Sequence, residues 1–156
     1  MFNRAYKLLT GRTATPIVMA FPAASAARYA DAHANPSGPG DARPTAMQVI
    51  EDERLMGKLQ GLKMVVTGAS DGIGVETVRA LHAAGADVIM PVRNREKGEK
   101  AMRDIAESNA QREAAGELEL AELDLDSLQS VRQFAAAYVK KHDRLNVLIN
   151  NAGARF

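Results

Sequence analysis

Thr67-Gly68-Ala69-Ser70-Asp71-Gly72-Ile73-Gly74 is the stretch that decides the fold of this chain. A short apolar run, Met64-Val65-Val66, precedes it, and an amphipathic stretch from Val75 to Ala84 follows. Strand, glycine-rich turn and helix in that order form a cradle for a dinucleotide pyrophosphate. Gly68 lets the chain turn sharply out of the strand. Gly72 has no Cβ, so the backbone can come close to a phosphate, and Gly74 lets the helix pack close to the sheet. Free N–H groups at the helix start, with the positive end of the helix dipole, are expected to hold the anion.

Working outward, strands and helices alternate. The pattern predicts a strand over Lys63–Thr67, a helix over Gly72–Ala84 stopped by Gly85 as a left-handed cap, and a strand over Asp87–Val92. A charged helix is expected from Arg95 to Ala115, ending at Gly116, then a strand over Leu118–Leu123. Asp126 and Gln129 have capping-box spacing ahead of a further helix, which carries Leu128, Val131, Phe134, Ala135 and Tyr138 on one face. A strand over Leu145–Ile149 closes the series. The fold class is α/β, a parallel sheet of about four strands with right-handed crossovers and helices on both faces.

Composition narrows the partners. A net charge of +1 gives no reason to propose nucleic acid or an anionic membrane. There is no cysteine, which removes thiol catalysis and cysteine–zinc sites. His33, His82 and His142 are far apart in sequence and near no carboxylate cluster, so no metal site is expected. No segment is long and apolar enough to span a bilayer.

The chain before Ala46 differs from the rest. It is rich in Ala, Pro, Ser and Gly, and Asn35-Pro36-Ser37-Gly38-Pro39-Gly40 cannot hold a helix or central strand. Residues 1–46 are therefore expected to be a disordered or targeting segment, 47–60 a helical lead-in, and 61–156 the nucleotide-binding unit. Met1 to Ala30 carries Arg4, Lys7, Arg12 and Arg28 and no acid, the composition of an organelle transit peptide. A secretory signal with an Ile17–Phe21 core, broken by Pro16 and Pro22, and a plain tail are the alternatives. The compartments expected are the cytoplasm or a mitochondrion or plastid.

Cofactor choice is set where the second strand ends. An NAD site places an acid there, about twenty residues past the glycines, to take the ribose hydroxyls. This chain has Val92-Arg93-Asn94 instead. Arg93 would attract a 2′-phosphate that a carboxylate would repel, so NADP is favoured over NAD. Arg95 and Lys97 add to the same field, and the competing use of Arg93 is a solvated charge leading a helix. Asp124-Leu125 follows the third strand, where a carboxylate can accept from an adenine amino group. Its competing use is a helix cap, for which Asp126 and Ser127 are rivals. In Asn150-Asn151-Ala152-Gly153, after the fourth strand, asparagine amides can bridge neighbouring strands and small residues leave room for a cofactor.

Together these residues resemble the short-chain dehydrogenase/reductase family. The matching motifs are Thr67 to Gly74, Asp124-Leu125 and Asn150 to Gly153, in the family's order, over about Gly61 to Gly153; Val92-Arg93-Asn94 resembles its retinol-dehydrogenase-like branch. The resemblance implies a partial Rossmann fold, NADP over the carboxyl ends of the strands, and hydride transfer between the nicotinamide and a carbonyl or alcohol. The cofactor-contacting set it implies is Gly68, Ser70, Asp71, Gly72, Ile73, Gly74, Arg93, Asn94, Asp124, Leu125, Asn151, Ala152 and Gly153.

The family's catalytic Ser and Tyr-x-x-x-Lys pair have no counterpart. Tyr6, Tyr29 and Tyr138 are followed four residues on by Thr10, His33 and His142. No catalytic residue is assigned, and the chain reads as the N-terminal part of such an oxidoreductase, retaining dinucleotide binding without turnover. A non-catalytic NADP-binding or interaction module, self-associating or partnered at the open edge of the fourth strand, and a non-functional remnant are the competing readings.

Overall fold

The computed structural model describes residues 23–38 and 40–153. Most of the stretch read as a targeting sequence, and Ala154-Arg155-Phe156, lie outside the described residues. Where composition predicts no regular structure, Ala23–Ala34 instead form helix α1. The difference has a local cause, since this segment is dominated by alanine, the strongest helix former, and holds no Pro or Gly. Helix α2, Ala46–Asp52, starts at a reciprocal cap: Thr45 Oγ1 accepts from the Gln48 N–H at 3.2 Å and Gln48 Oε1 accepts from the Thr45 N–H at 2.8 Å.

From Lys63 the expected alternation is present. The elements are β1 (Lys63–Val66), α3 (Gly72–Ala83), β2 (Asp87–Val92), α4 (Arg95–Ser108), β3 (Leu118–Glu122), α5 (Leu128–Lys141) and β4 (Val147–Ile149). All three strand pairings are parallel, and the order across the sheet is β3-β2-β1-β4. The chain thus builds outward from β1 in one direction, then crosses to its other side with β4. In open sheets of this kind ligands bind where the order reverses, here at the carboxyl ends of β1 and β4.

Helices pack on both faces of the sheet. Met64 and Val66 of β1 and Val88 and Met90 of β2 point to one side, where Val78 of α3, Ala101 and Ile105 of α4 and Ile50 of α2 complete the main core. Val65 and Ile89 point to the other side and meet Tyr138 and Phe134 of α5. Pro91 lies inside β2, the strand flanked by β1 and β3, where proline would ordinarily remove a ladder bond. The Val88 N–H donates towards β3, to Glu117 O at 2.8 Å, and the Asp87 N–H towards β1, to Leu62 O at 3.0 Å. By that alternation Pro91 N faces β1, whose pairing with β2 already ends at Val65 and Ile89. Pro91 thus stands where the β1–β2 ladder ends.

Boundaries differ from the sequence reading where side chains intervene. Helix α3 ends as expected: Gly85 has φ +101°, its N–H reaches His82 O, and the Ala86 N–H reaches Leu81 O. This double closure is the Schellman pattern. Helix α4, expected to reach Ala115, stops at Ser108, because Asn109 turns its buried amide onto α3, donating to Arg79 O at 3.0 Å and lying 2.9 Å from His82 Nδ1. The α5 cap is Ser127, whose hydroxyl accepts from the Ser130 N–H at 3.2 Å, and not Asp126. Strand β4 starts at Val147 rather than Leu145, since Asn146 holds Lys63 through both its backbone and its side chain.

Candidate functional site

The glycine turn leaves β1 at Thr67, which is buried. Thr67 Oγ1 accepts N–H groups from Asn151 at 3.1 Å and Ala152 at 3.0 Å and donates to Ile149 O at 3.4 Å. Asn151 Nδ2 donates back to Thr67 O at 3.0 Å and Gly68 O at 3.3 Å. The turn after β1 and the segment after β4 are therefore one hydrogen-bonded unit. The strand-bridging use of the asparagine amide read from the sequence is what Asn151 performs. Thr67, the centre of the unit, was read only as the motif's first letter, because its three partners lie more than eighty positions away.

Each glycine of the turn meets a different constraint. Gly68 has φ +66°, and a Cβ on it would stand 2.9 Å from Ala152 Cα. Gly74 is helical, and a Cβ there would stand 2.1 Å from Gly68 O and 2.7 Å from Asn151 Nδ2. Its close approach is thus to the turn itself and the Asn151 amide, whereas the sequence reading placed it against the sheet. Gly72 has φ +55° and nothing within 4 Å of its Cβ position. Open space lies over that backbone, which is the condition for close approach of a ligand. Ile73 beside it is 79% exposed, an uncovered aliphatic side chain next to that open backbone.

One expectation needs correction. The Gly72 N–H is not free: Asp71, the N-cap of α3, accepts it at 2.8 Å. A carboxylate therefore already stands at the positive end of this helix dipole. Beside it lies a cleft of about 890 Å³, lined by Ser70, Asp71, Gly72 and Ile73 together with Lys97 and Lys100 of α4 and with Thr45 and Ala46 from the start of α2. Thr45, Ala46 and Lys100 carry no motif in the sequence; only the packing of α2 and α4 beside the turn brings them there.

The other implied residues stand at the same end of the sheet. Arg93 directly follows β2 and is exposed, its Nη1 donating to Asp126 Oδ2 at 3.3 Å. It is neither unpaired nor merely solvated. Asn94 is the N-cap of α4, its side chain accepting from the Lys97 N–H at 2.9 Å. Asp124 accepts the Asp126 N–H on Oδ1 at 3.1 Å, and its own N–H donates to Ser130 Oγ at 2.9 Å. Its carboxylate tightens a turn and caps no helix, and Leu125 next to it is exposed. Asn151, Ala152 and Gly153 follow β4. The four strand ends thus carry all thirteen residues on one rim.

The sequence model of the short chain dehydrogenase family matches residues 63–156. This chain belongs to that family. Among its relatives, the short-chain dehydrogenase/reductase prx1 of Penicillium rubens is 43% identical over 126 residues, covering 81% of this chain and 35% of the relative. Human retinol dehydrogenase 13 is 38% identical over 95 residues, covering 61% of this chain and 28% of the relative. Among solved structures, a metagenomic short-chain oxidoreductase in complex with NADP superposes with a TM-score of 0.54 at 38% identity, over 62% of this chain and 41% of that one. The chain spans about a third of the length of the curated relatives it matches.

Proposed function

We propose that this chain binds NADP across the carboxyl ends of β1–β4 and serves hydride transfer between the nicotinamide and a carbonyl or alcohol substrate. The observation that carries the reading is the clamped turn. Thr67 and Asn151 fix a glycine loop whose Gly72 backbone faces open space, while Arg93, and no acid, stands at the end of β2. The fit to a dinucleotide is physical. A pyrophosphate needs backbone approach without a Cβ, which Gly72 supplies, and helix-start amides, of which Ile73 and Gly74 follow the one that Asp71 engages. The Arg93 guanidinium suits a 2′-phosphate through charge-assisted bonds. Asp124 would accept from the adenine amino group, and Asn94, Leu125, Ala152 and Gly153 would border the adenosine.

When bound, the cofactor supplies a hydride donor or acceptor at its nicotinamide ring. This chain's own residues bind and orient it, and no catalytic residue is assigned among them. The NADP-complexed structural relative supports this reading of the site. The test is a fluorescence titration of the chain with NADPH and with NADH, for the wild type and for Arg93→Asp. The wild type should prefer NADPH and the variant should lose that preference. An unchanged preference would make Arg93 a surface charge and sink the NADP assignment.

A further inference from the structure

We infer that Asp126 is a specificity-determining residue of this chain, a built-in competitor for the guanidinium that would read the 2′-phosphate. The inference rests on the NADP reading above and deepens it. It starts from a carboxylate that the fold leaves without its expected task. Asp126 has capping-box spacing, yet Ser127 caps α5 and Asp124 takes the Asp126 N–H. The loop is closed again by the Ser127 N–H on Asp124 O at 3.2 Å. Asp126 therefore does not cap the helix, and its side chain is turned instead to Arg93, 33 residues away in sequence.

The sheet sets this meeting. Val92 and Glu122 are register partners at the ends of β2 and β3, and the Leu123 N–H donates to Val92 O at 3.0 Å. The residue after β2 and the loop after β3 must then lie side by side. Among the described residues only Nη1 of the Arg93 fork is engaged, so the remaining nitrogens can meet a phosphate while Asp126 still holds one corner. Side-chain exposures of 73% and 85% put the pair in solvent, where an ion pair adds little to folding. A ligand anion can thus displace the carboxylate at small cost. Until displaced, the carboxylate neutralises the Arg93 guanidinium that would meet the 2′-phosphate. A dinucleotide without that phosphate meets no such competition. Asp126 therefore narrows the gap between NADP and NAD that Arg93 alone would open.

The experiment titrates NADPH and NADH against the wild-type chain, Asp126→Asn, Asp126→Glu, Arg93→Gln and the Arg93→Gln/Asp126→Asn double variant. Removing an exposed ion-pair partner should tighten NADPH roughly two- to fivefold in Asp126→Asn, with NADH changed by less than about twofold. Asp126→Glu should stay near wild type, and Asp126→Asn should have no effect on NADPH in the Arg93→Gln background. Equal tightening of both cofactors, no change in NADPH, or an effect that survives Arg93→Gln would overturn the inference while leaving the NADP assignment standing. Failure of Arg93→Gln to weaken NADPH relative to NADH, or no binding of either cofactor, would overturn the NADP assignment and this inference with it.

Discussion

Gly74→Ala should damage the fold more than Gly72→Ala, although Gly72 has the more demanding backbone. At Gly74 the backbone is ordinary helix, and alanine would be favoured by about 1 kcal/mol on propensity alone. Against this, the new Cβ would stand 2.1 Å from Gly68 O, nearly an ångström inside the 3.0 Å that real Cβ contacts respect, and 2.7 Å from Asn151 Nδ2. Neither neighbour can swing away. One is backbone, and the other is an amide held by Thr67 O and Gly68 O. Overpacking of this kind costs about 1–3 kcal/mol, and disturbing the two Asn151 bonds adds about 1 kcal/mol each. The net loss is about 2–4 kcal/mol, or on the order of 10–20 °C in melting temperature for a domain of this size. At Gly72 nothing lies within 4 Å, so alanine meets only the cost of φ +55°, about 1–2 kcal/mol. Urea unfolding followed by circular dichroism measures both. NADPH titration should show the complementary pattern, since the Gly72→Ala methyl projects into the space proposed for the pyrophosphate, and binding should fall further than stability does. A Gly74→Ala protein as stable as wild type, or more stable than Gly72→Ala, would refute the close approach and the clamp built on it.

Thr67→Val keeps the shape of a buried side chain but removes the hydroxyl that accepts from Asn151 and Ala152; it should cost about 2–3 kcal/mol in urea unfolding, and Thr67→Ser should recover most of it. His82 gives a pH dependence. Burial lowers its pKa from 6.5, against a smaller opposing backbone contact with Gly116, so the folded protein takes up the proton less readily than the unfolded chain. The stability that neutral His82 contributes is present above about pH 6.5 and is lost as pH falls through the lowered folded value. The wild-type melting temperature should therefore drop on acidification below that pH more steeply than that of His82→Gln, which keeps an acceptor near Asn109; parallel curves would rule the group out.

The residues that were legible in the sequence are those whose task is settled by their neighbours in the chain. Gly85 and Ala86 close α3 through bonds to His82 and Leu81, a few residues back, and after Asp87 β2 is an unbroken, buried apolar run. The misread residues are polar side chains with two local uses, between which a distant partner decides. Asn109 could have continued α4 through Ala115, but two acceptors on α3, near residues 79 and 82, take its amide and end the helix. In Asp124-Leu125-Asp126-Ser127 three side chains are competent caps, and no local rule ranks them. In the structure Ser127 takes the cap, Asp124 holds the turn, and Asp126 faces Arg93 at the end of β2. The same ambiguity hid the electrostatics of the site. Read alone, Arg93 is an unopposed cation and the cofactor choice follows from its sign. Read beside β3, it is half of an exposed pair, and the choice depends on how much of that pairing a 2′-phosphate must displace. Because the register of β2 on β3 forces the encounter, a substitution that shifts that register should alter cofactor preference without touching either charge.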